Sequence, residues 1–186
     1  MADYDLLIRN GLVFDGTGTP PRAVDIAISQ DGVVRIDRAL DGSAARTVDA
    51  GGRWVMPGLL DIHTHLDLEG EGEPALSEAV RHGSTTVLVG NCSLGTCFGS
   101  QREGEQNPIV DCFARVENMP KSVLQKCVDQ VTWDNTRDYV AHLESLPLGA
   151  NIAAFVPHSM LRIQVMGLEA AISRDPTEAE LRAMGE

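Results

Sequence analysis

Apolar positions between residues 4 and 50 come in short runs: Tyr4 to Arg9, Leu12 to Phe14, Val24 to Ser29 and Val33 to Arg35. Several alternate with polar positions, and a period of two places successive side chains on opposite faces of an extended chain, so these runs predict β-strands. Asn10-Gly11, Asp15-Gly16-Thr17-Gly18, Asp31-Gly32 and Asp41-Gly42 separate them. Asn-Gly and Asp-Gly pairs favour tight turns because both tolerate positive φ. Val48 to Val55 adds one more turn and strand around Gly51-Gly52. The expectation for residues 1–56 is a small antiparallel β-unit.

From Gly58 the rhythm changes to strand followed by helix. Leu59 to His65 predicts a first strand, buried on account of Leu59, Leu60 and Ile62, with Pro57-Gly58 marking its start. A helical pattern from about Pro74 to His82 and a second strand from Thr85 to Val89 follow. Residues 93–120, rich in Gly, Pro and charge, predict a long loop. Lys121 to Asp129 and Thr136 to Glu144 are helical patterns, and Asn151 to Val156 is a third strand. Leu161 to Met166 fits neither period clearly. Thr177 with Glu180 three positions on predicts a capped helix start. Strands alternating with helices make residues 57–186 an α/β domain with a parallel sheet.

The candidate chemistry gathers at the predicted strand ends. His63 and His65, two apart, share one face of an extended strand, and two neutral imidazoles from one strand are half of a zinc site. Cys92 ends the second strand and His158 follows the third, so three metal-type residues fall at three successive strand ends. Cys92 reads either as a thiolate ligand or as a small buried thiol. Asp61 shares the histidine face, where it orients a ring N–H or pairs with backbone. Asp67 is either a carboxylate turned toward the site and its substrate or a solvated loop acid. His158 reads as a hydrogen-bonding support beneath the site or as a further ligand. Arg162 reads as a clamp on a substrate carboxylate or as half of a local ion pair. The Glu69-Gly-Glu71-Gly-Glu73 run reads as a solvated loop.

Composition narrows the class. Lys plus Arg total 15 against 27 Asp plus Glu, a net charge of −12 that argues against nucleic acid and anionic membranes as partners. The N-terminus has no basic, apolar leader pattern, and no apolar run approaches the ~18 residues of a membrane span, so the cytoplasm is the expected location. Cys92, Cys97, Cys112 and Cys127 form no Cys-x-x-Cys pair; the last three are expected to be small buried or half-exposed thiols.

The string Val55-Met-Pro-Gly-Leu-Leu-Asp61-Ile-His63-Thr-His65-Leu-Asp67 resembles the first barrel strand of the metal-dependent amidohydrolase superfamily. Gly90-Asn91-Cys92, Pro157-His158-Ser159-x-Leu161-Arg162 with Val165-Met166-Gly167, and Arg174-Asp-Pro-Thr177-Glu-Ala-Glu180 look like successive segments of its D-aminoacylase branch. The resemblance implies a (β/α)8 TIM-type barrel preceded by half of a β-sandwich. It implies His63, His65 and Cys92 as Zn²⁺ ligands, with two more histidines and a catalytic aspartate on later strands. It also implies hydrolysis of the C–N bond of a small N-acyl-D-amino acid by metal-activated water. Ser93 departs from the glycine expected after the cysteine, which puts the turn geometry there in question. A complete barrel needs about 250 residues, and the chain has 186. The expectation is therefore an incomplete barrel, the N-terminal part of such an enzyme, inactive alone and prone to self-association through its exposed edge. Two rivals stand: a cyclic amidase of the hydantoinase or dihydroorotase type, which usually carries a carboxylated lysine, and a non-catalytic metal-binding or interaction protein.

Overall fold

The computed structural model describes residues 2–30, 32–98 and 107–186. They form two compact units, Met1–Pro57 and Gly58–Glu186.

The first unit is a five-stranded sheet built around β1 (Tyr4–Val13). On one side β1 pairs antiparallel with β2 (Arg22–Ser29), which pairs antiparallel with β3 (Gly32–Asp37). On the other, β4 (Ala44–Asp49) and β5 (Trp54–Val55) both run parallel to β1. The sheet is thus mixed, not antiparallel as the turn signals implied. Asn10-Gly11 is no turn either. It is a bulge inside one continuous strand, with Asn10 at φ 59° and the register with β2 shifting between Ile8 and Gly11. Buried Asp25 supplies the reason: its carboxylate accepts the Asn10 N–H at 3.0 Å, the Leu40 N–H at 3.0 Å and the Arg9 guanidinium at 3.2 Å. Three donors satisfy an acid that burial would otherwise penalise. Leu7, Ala27 and Leu40 pack on one face, and Val13, Val24 and Ile26 on the other.

The second unit holds a three-stranded parallel sheet in the order β6 (Leu59–Asp61), β7 (Ser84–Val89), β8 (Asn151–Ala154). Two short helices, α1 (Glu69–Gly72) and α2 (Ser77–Arg81), lie between β6 and β7. Between β7 and β8 come α3 (Pro108–Val116), α4 (Lys121–Val128) and α5 (Thr136–Ser145). After β8 come α6 (His158–Met166), α7 (Leu168–Ser173) and α8 (Glu178–Gly185). The alternation of strand and helix is therefore that of an α/β unit.

Several boundaries moved. Ladder pairing of the first strand, expected to reach His65, is regular only to Asp61, and the third strand ends at Ala154 rather than Val156. The first strand is also not buried: Leu59, Leu60 and Ile62 are each more than half exposed, because β6 is an edge with a paired neighbour on one side only. Part of the expected 93–120 loop is α3, started by Asn107, whose side chain accepts the Val110 N–H, and by Pro108 in the first turn. Residues 99–106 of that segment lie outside the described residues. Ile109, Val110 and Phe113 of this helix pack with Leu68, Leu94, Leu124 and Val128 into the largest buried apolar cluster of the unit. α8 starts as its sequence predicts: Thr177 and Glu180 form a capping box, and Arg174 grips Glu180 through two hydrogen bonds of 2.8 and 2.7 Å.

Candidate metal centre

Beyond Asp61 the strand gives way to a bend at His63, and Thr64 holds the chain to β7. The Thr64 N–H donates to the Leu88 carbonyl at 3.2 Å, and its hydroxyl donates to the same oxygen at 2.7 Å. Thr64 is buried between them, while His63 is exposed and His65 partly buried. Their rings meet edge to face with centroids 5.5 Å apart.

Cys92 arrives by a different route. After β7 the backbone makes a tight turn in which Gly90, Cys92 and Ser93 all have positive φ, 81°, 52° and 63°. Only glycine adopts this region without cost. At Gly90 glycine is also required sterically, since a Cβ there would stand 2.6 Å from the Phe155 carbonyl oxygen. Ser93 shows why a glycine was expected at its position. Three side chains pin the turn: Asp67 accepts the Gly90 N–H at 3.0 Å, Asn91 donates to the Leu88 and Thr64 carbonyls at 2.9 and 3.3 Å, and the Ser159 hydroxyl donates to the Ser93 carbonyl.

The two routes converge. One donor atom from each of His63, His65 and Cys92 lies within 4.8 Å of the other two, and among the described residues no other group of three His, Cys, Asp or Glu side chains does so. His63 Nε2 and Cys92 Sγ are 3.2 Å apart. Two ligands bound to one Zn²⁺ at about 2.0 and 2.3 Å stand at about this separation, so the donor set fits a zinc ion. His63 and Cys92 are exposed and His65 is partly buried, so one side of the cluster is open.

The remaining sequence candidates divide. Asp67 is no solvated loop acid: it is buried, burial pushes its carboxyl up to about 7, and one oxygen braces the Cys92 turn while the other has no hydrogen-bond partner among the described residues. Asp61 accepts the His63 backbone N–H at 3.3 Å rather than a ring N–H. His158 is exposed in the first turn of α6, and its neighbour Ser159 is the member of that segment tied to the turn. Arg162 donates to the Ala171 and Arg174 carbonyls at 2.9 and 3.1 Å, closing the end of α7. Glu71 corrects the solvated-loop reading of its run. Its side chain is buried and 2.8 Å from His142 Nε2 on α5, and burial raises its carboxyl above the usual range. His142 in turn stacks on Trp133 with centroids 4.5 Å apart. Cys97 is buried and Cys112 and Cys127 are partly buried, as their sequence predicts.

Sequence reasoning missed Asn91, Ser159 and Glu117. The first two sat in quoted segments, but their role is to hold backbone, which residue type alone does not disclose. Glu117 lay in the expected loop, yet its Oε1 is 3.8 Å from His65 Nε2.

Residues 46–186 match the sequence profile of the Amidohydrolase family. The chain belongs to that family. Among amidohydrolase relatives, it is 44% identical to an uncharacterized protein of Mycobacterium tuberculosis, across 97% of this chain and 30% of that protein. It is 33% identical to the N-acyl-D-glutamate deacylase of Alcaligenes xylosoxydans xylosoxydans, across 97% and 33%. The crystal structure of N-acyl-D-glutamate deacylase from Bordetella bronchiseptica, complexed with zinc and a phosphonate inhibitor, superposes with a TM-score of 0.75 at 28% identity, covering 97% of this chain and 34% of that one. The resemblance to the deacylase branch holds, and the chain spans about a third of the length of these relatives. No helix among the described residues is long and apolar enough to cross a membrane.

Proposed function

We propose that this chain supplies the opening strands of a (β/α)8 barrel in a zinc-dependent amidohydrolase that releases D-amino acids from small N-acyl derivatives. His63, His65 and Cys92 are its share of the metal centre. The convergence of these three donors within 4.8 Å carries the reading. The likeness to N-acyl-D-glutamate deacylases supports the substrate class, and a cysteine donor favours this branch over cyclic amidases, which use a carboxylated lysine.

The chain's residues have definite tasks in such a reaction. His63 and His65 present two neutral donors from one strand, and Cys92 adds a thiolate once it loses its proton. Asp67, Asn91 and Ser159 keep the thiolate aimed at the imidazoles. The open side of the cluster admits the acyl group. A bound Zn²⁺ would polarise the scissile carbonyl and make a water acidic enough to attack at neutral pH. Addition of that water to the carbonyl carbon and cleavage of the C–N bond yields a carboxylate and a protonated amine.

Isothermal titration of residues 1–186 with Zn²⁺ tests the site. A site of this kind predicts at least about tenfold weaker binding for Cys92→Ser and for the His63→Ala, His65→Ala double variant, on the scale of losing groups that serve a metal centre. Identical heats in all three proteins would remove the motif as a site. Amine release from N-acetyl-D- against N-acetyl-L-glutamate, by a longer protein carrying this chain, tests the substrate class; preference for the L-enantiomer would overturn it.

A further inference from the structure

We propose that His142, on α5, is a positioning residue for the cluster of His63, His65 and Cys92. Through the buried carboxylate of Glu71 and the ring of Trp133 it ties together the two chain segments that carry the donors. The inference rests on the metal-site reading above and assigns no further ligand to it.

The first argument is placement. One segment runs from His65 through Asp67 into α1, a helix of four residues whose start has no side-chain cap. A helix this short has little stability of its own, so what its side chains meet sets its position. Glu71 of α1 has a side chain only 2% exposed, and its Oε2 lies 2.8 Å from His142 Nε2. The other segment runs from Cys92 to Thr96 and Cys97. There the Trp133 indole N–H donates to the Thr96 carbonyl at 2.6 Å, and the Trp133 ring stacks on His142 with the two planes 28° apart. His142 therefore stands between a side chain four residues past Asp67 and a ring bonded four residues past Cys92. The two segments also touch each other: a Cβ on Gly95 would stand 3.3 Å from Asp67 Oδ1.

The chemistry of the pair is the second argument. Burial raises the Glu71 carboxyl, and its Oε1 has no hydrogen-bond partner among the described residues. His142 is the one basic side chain within ion-pairing distance of it among those residues. Apolar side chains of similar volume often stabilise such a site as well or better than a buried ion pair. Cohesion is already present, since Cys97, Val131, Trp133 and Tyr139 form a buried apolar cluster beside His142. What apolar contacts lack is direction. A hydrogen bond has a preferred length and angle, whereas apolar burial depends on area alone. The pair contributes location more than stability.

Co²⁺ titration of residues 1–186, followed optically, tests this, with Cys92→Ser as control and H142Q and E71M/H142F as probes. Glutamine keeps an N–H donor for Glu71. The double variant replaces the pair by apolar side chains of similar volume and leaves no charge buried alone. The wild type should show a thiolate-to-Co²⁺ band in the near ultraviolet that Cys92→Ser abolishes. E71M/H142F should stay folded by circular dichroism, keep that band, and bind at least about tenfold more weakly, the scale of losing a group that orients a metal's ligands. H142Q should bind within a fewfold of wild type. Absence of a Cys92-dependent band in the wild type overturns the metal-site reading and this inference with it. A band with wild-type affinity in E71M/H142F overturns the positioning role alone, as does a loss in H142Q equal to that of the double variant. Unfolding of E71M/H142F overturns it too, because the pair would then hold the fold together instead of placing the segments.

Discussion

The two arms of the proposed metal centre are built by opposite means. The histidine arm continues β6 past a bend at His63 with no residue at positive φ, and Thr64 between the histidines makes two hydrogen bonds to Leu88. The cysteine arm is a turn with three residues at positive φ, two of them not glycine, held by Asp67, Asn91 and Ser159. One arm costs the fold almost nothing. The other stores backbone strain of about 1–3 kcal/mol per non-glycine residue and needs outside support to persist. Strain of this kind concentrates where a side chain must be aimed, and here it aims a thiol that no regular strand end would deliver between two imidazoles.

If that contrast is right, the arms should fail differently. The largest effect is expected from Gly90→Ala, which places a methyl 2.6 Å from a backbone carbonyl at φ 81°. The cost should be about 3 kcal/mol or more, from the left-handed penalty and the overlap together. Urea unfolding would measure it, and the thiolate-to-Co²⁺ band should vanish while the histidines keep residual binding. A loss below about 1 kcal/mol would mean the turn relaxes and is not under strain. Thr64→Val comes next. It removes one hydrogen bond of 2.7 Å from a carbonyl that keeps two other donors, so about 1 kcal/mol is expected. Zn²⁺ affinity should stay within a fewfold of wild type; a collapse in calorimetry would show that the histidine arm depends on that hydroxyl. The smallest effect is a gain. Ser93→Gly relieves φ 63° at the price of a looser unfolded chain, a net stabilisation of about 0.5–1 kcal/mol. Thermal melts that show destabilisation would place the strain elsewhere.

What the sequence disclosed follows the same division. A spacing of two is local, so the pairing of His63 and His65 could be read directly, as could the capping box of Thr177 and Glu180. The Asn107-Pro108 start of α3 is a local signal as well, but glycine, proline and charge around it suggested a loop. Other features depend on residues far along the chain. Asn10 forms a bulge rather than a turn because Asp25 waits to accept its N–H. Glu71 is buried because His142, 71 positions later, meets it. Asp67, Ser159 and the Asn91 bond to Thr64 act on backbone groups brought near by the parallel pairing of β6, β7 and β8. No window of sequence contains those partners together.

The central place of β1 has a consequence for how the chain is made. Its partners span from Arg22 to Val55, with Tyr4 opposite Ala44 and Val13 opposite Val55. β1 therefore leaves the ribosome before every strand that pairs with it. β2 can pair with it early, but the parallel side stays bare until β4, Ala44–Asp49, has emerged, and parallel pairing closes slowly because its loops are long. During that interval β1 keeps an open edge, a state exposed to pairing with another chain or to capture by a chaperone. Slowing translation once β4 and β5 have emerged should favour correct closure, and a pause before they emerge should do the reverse.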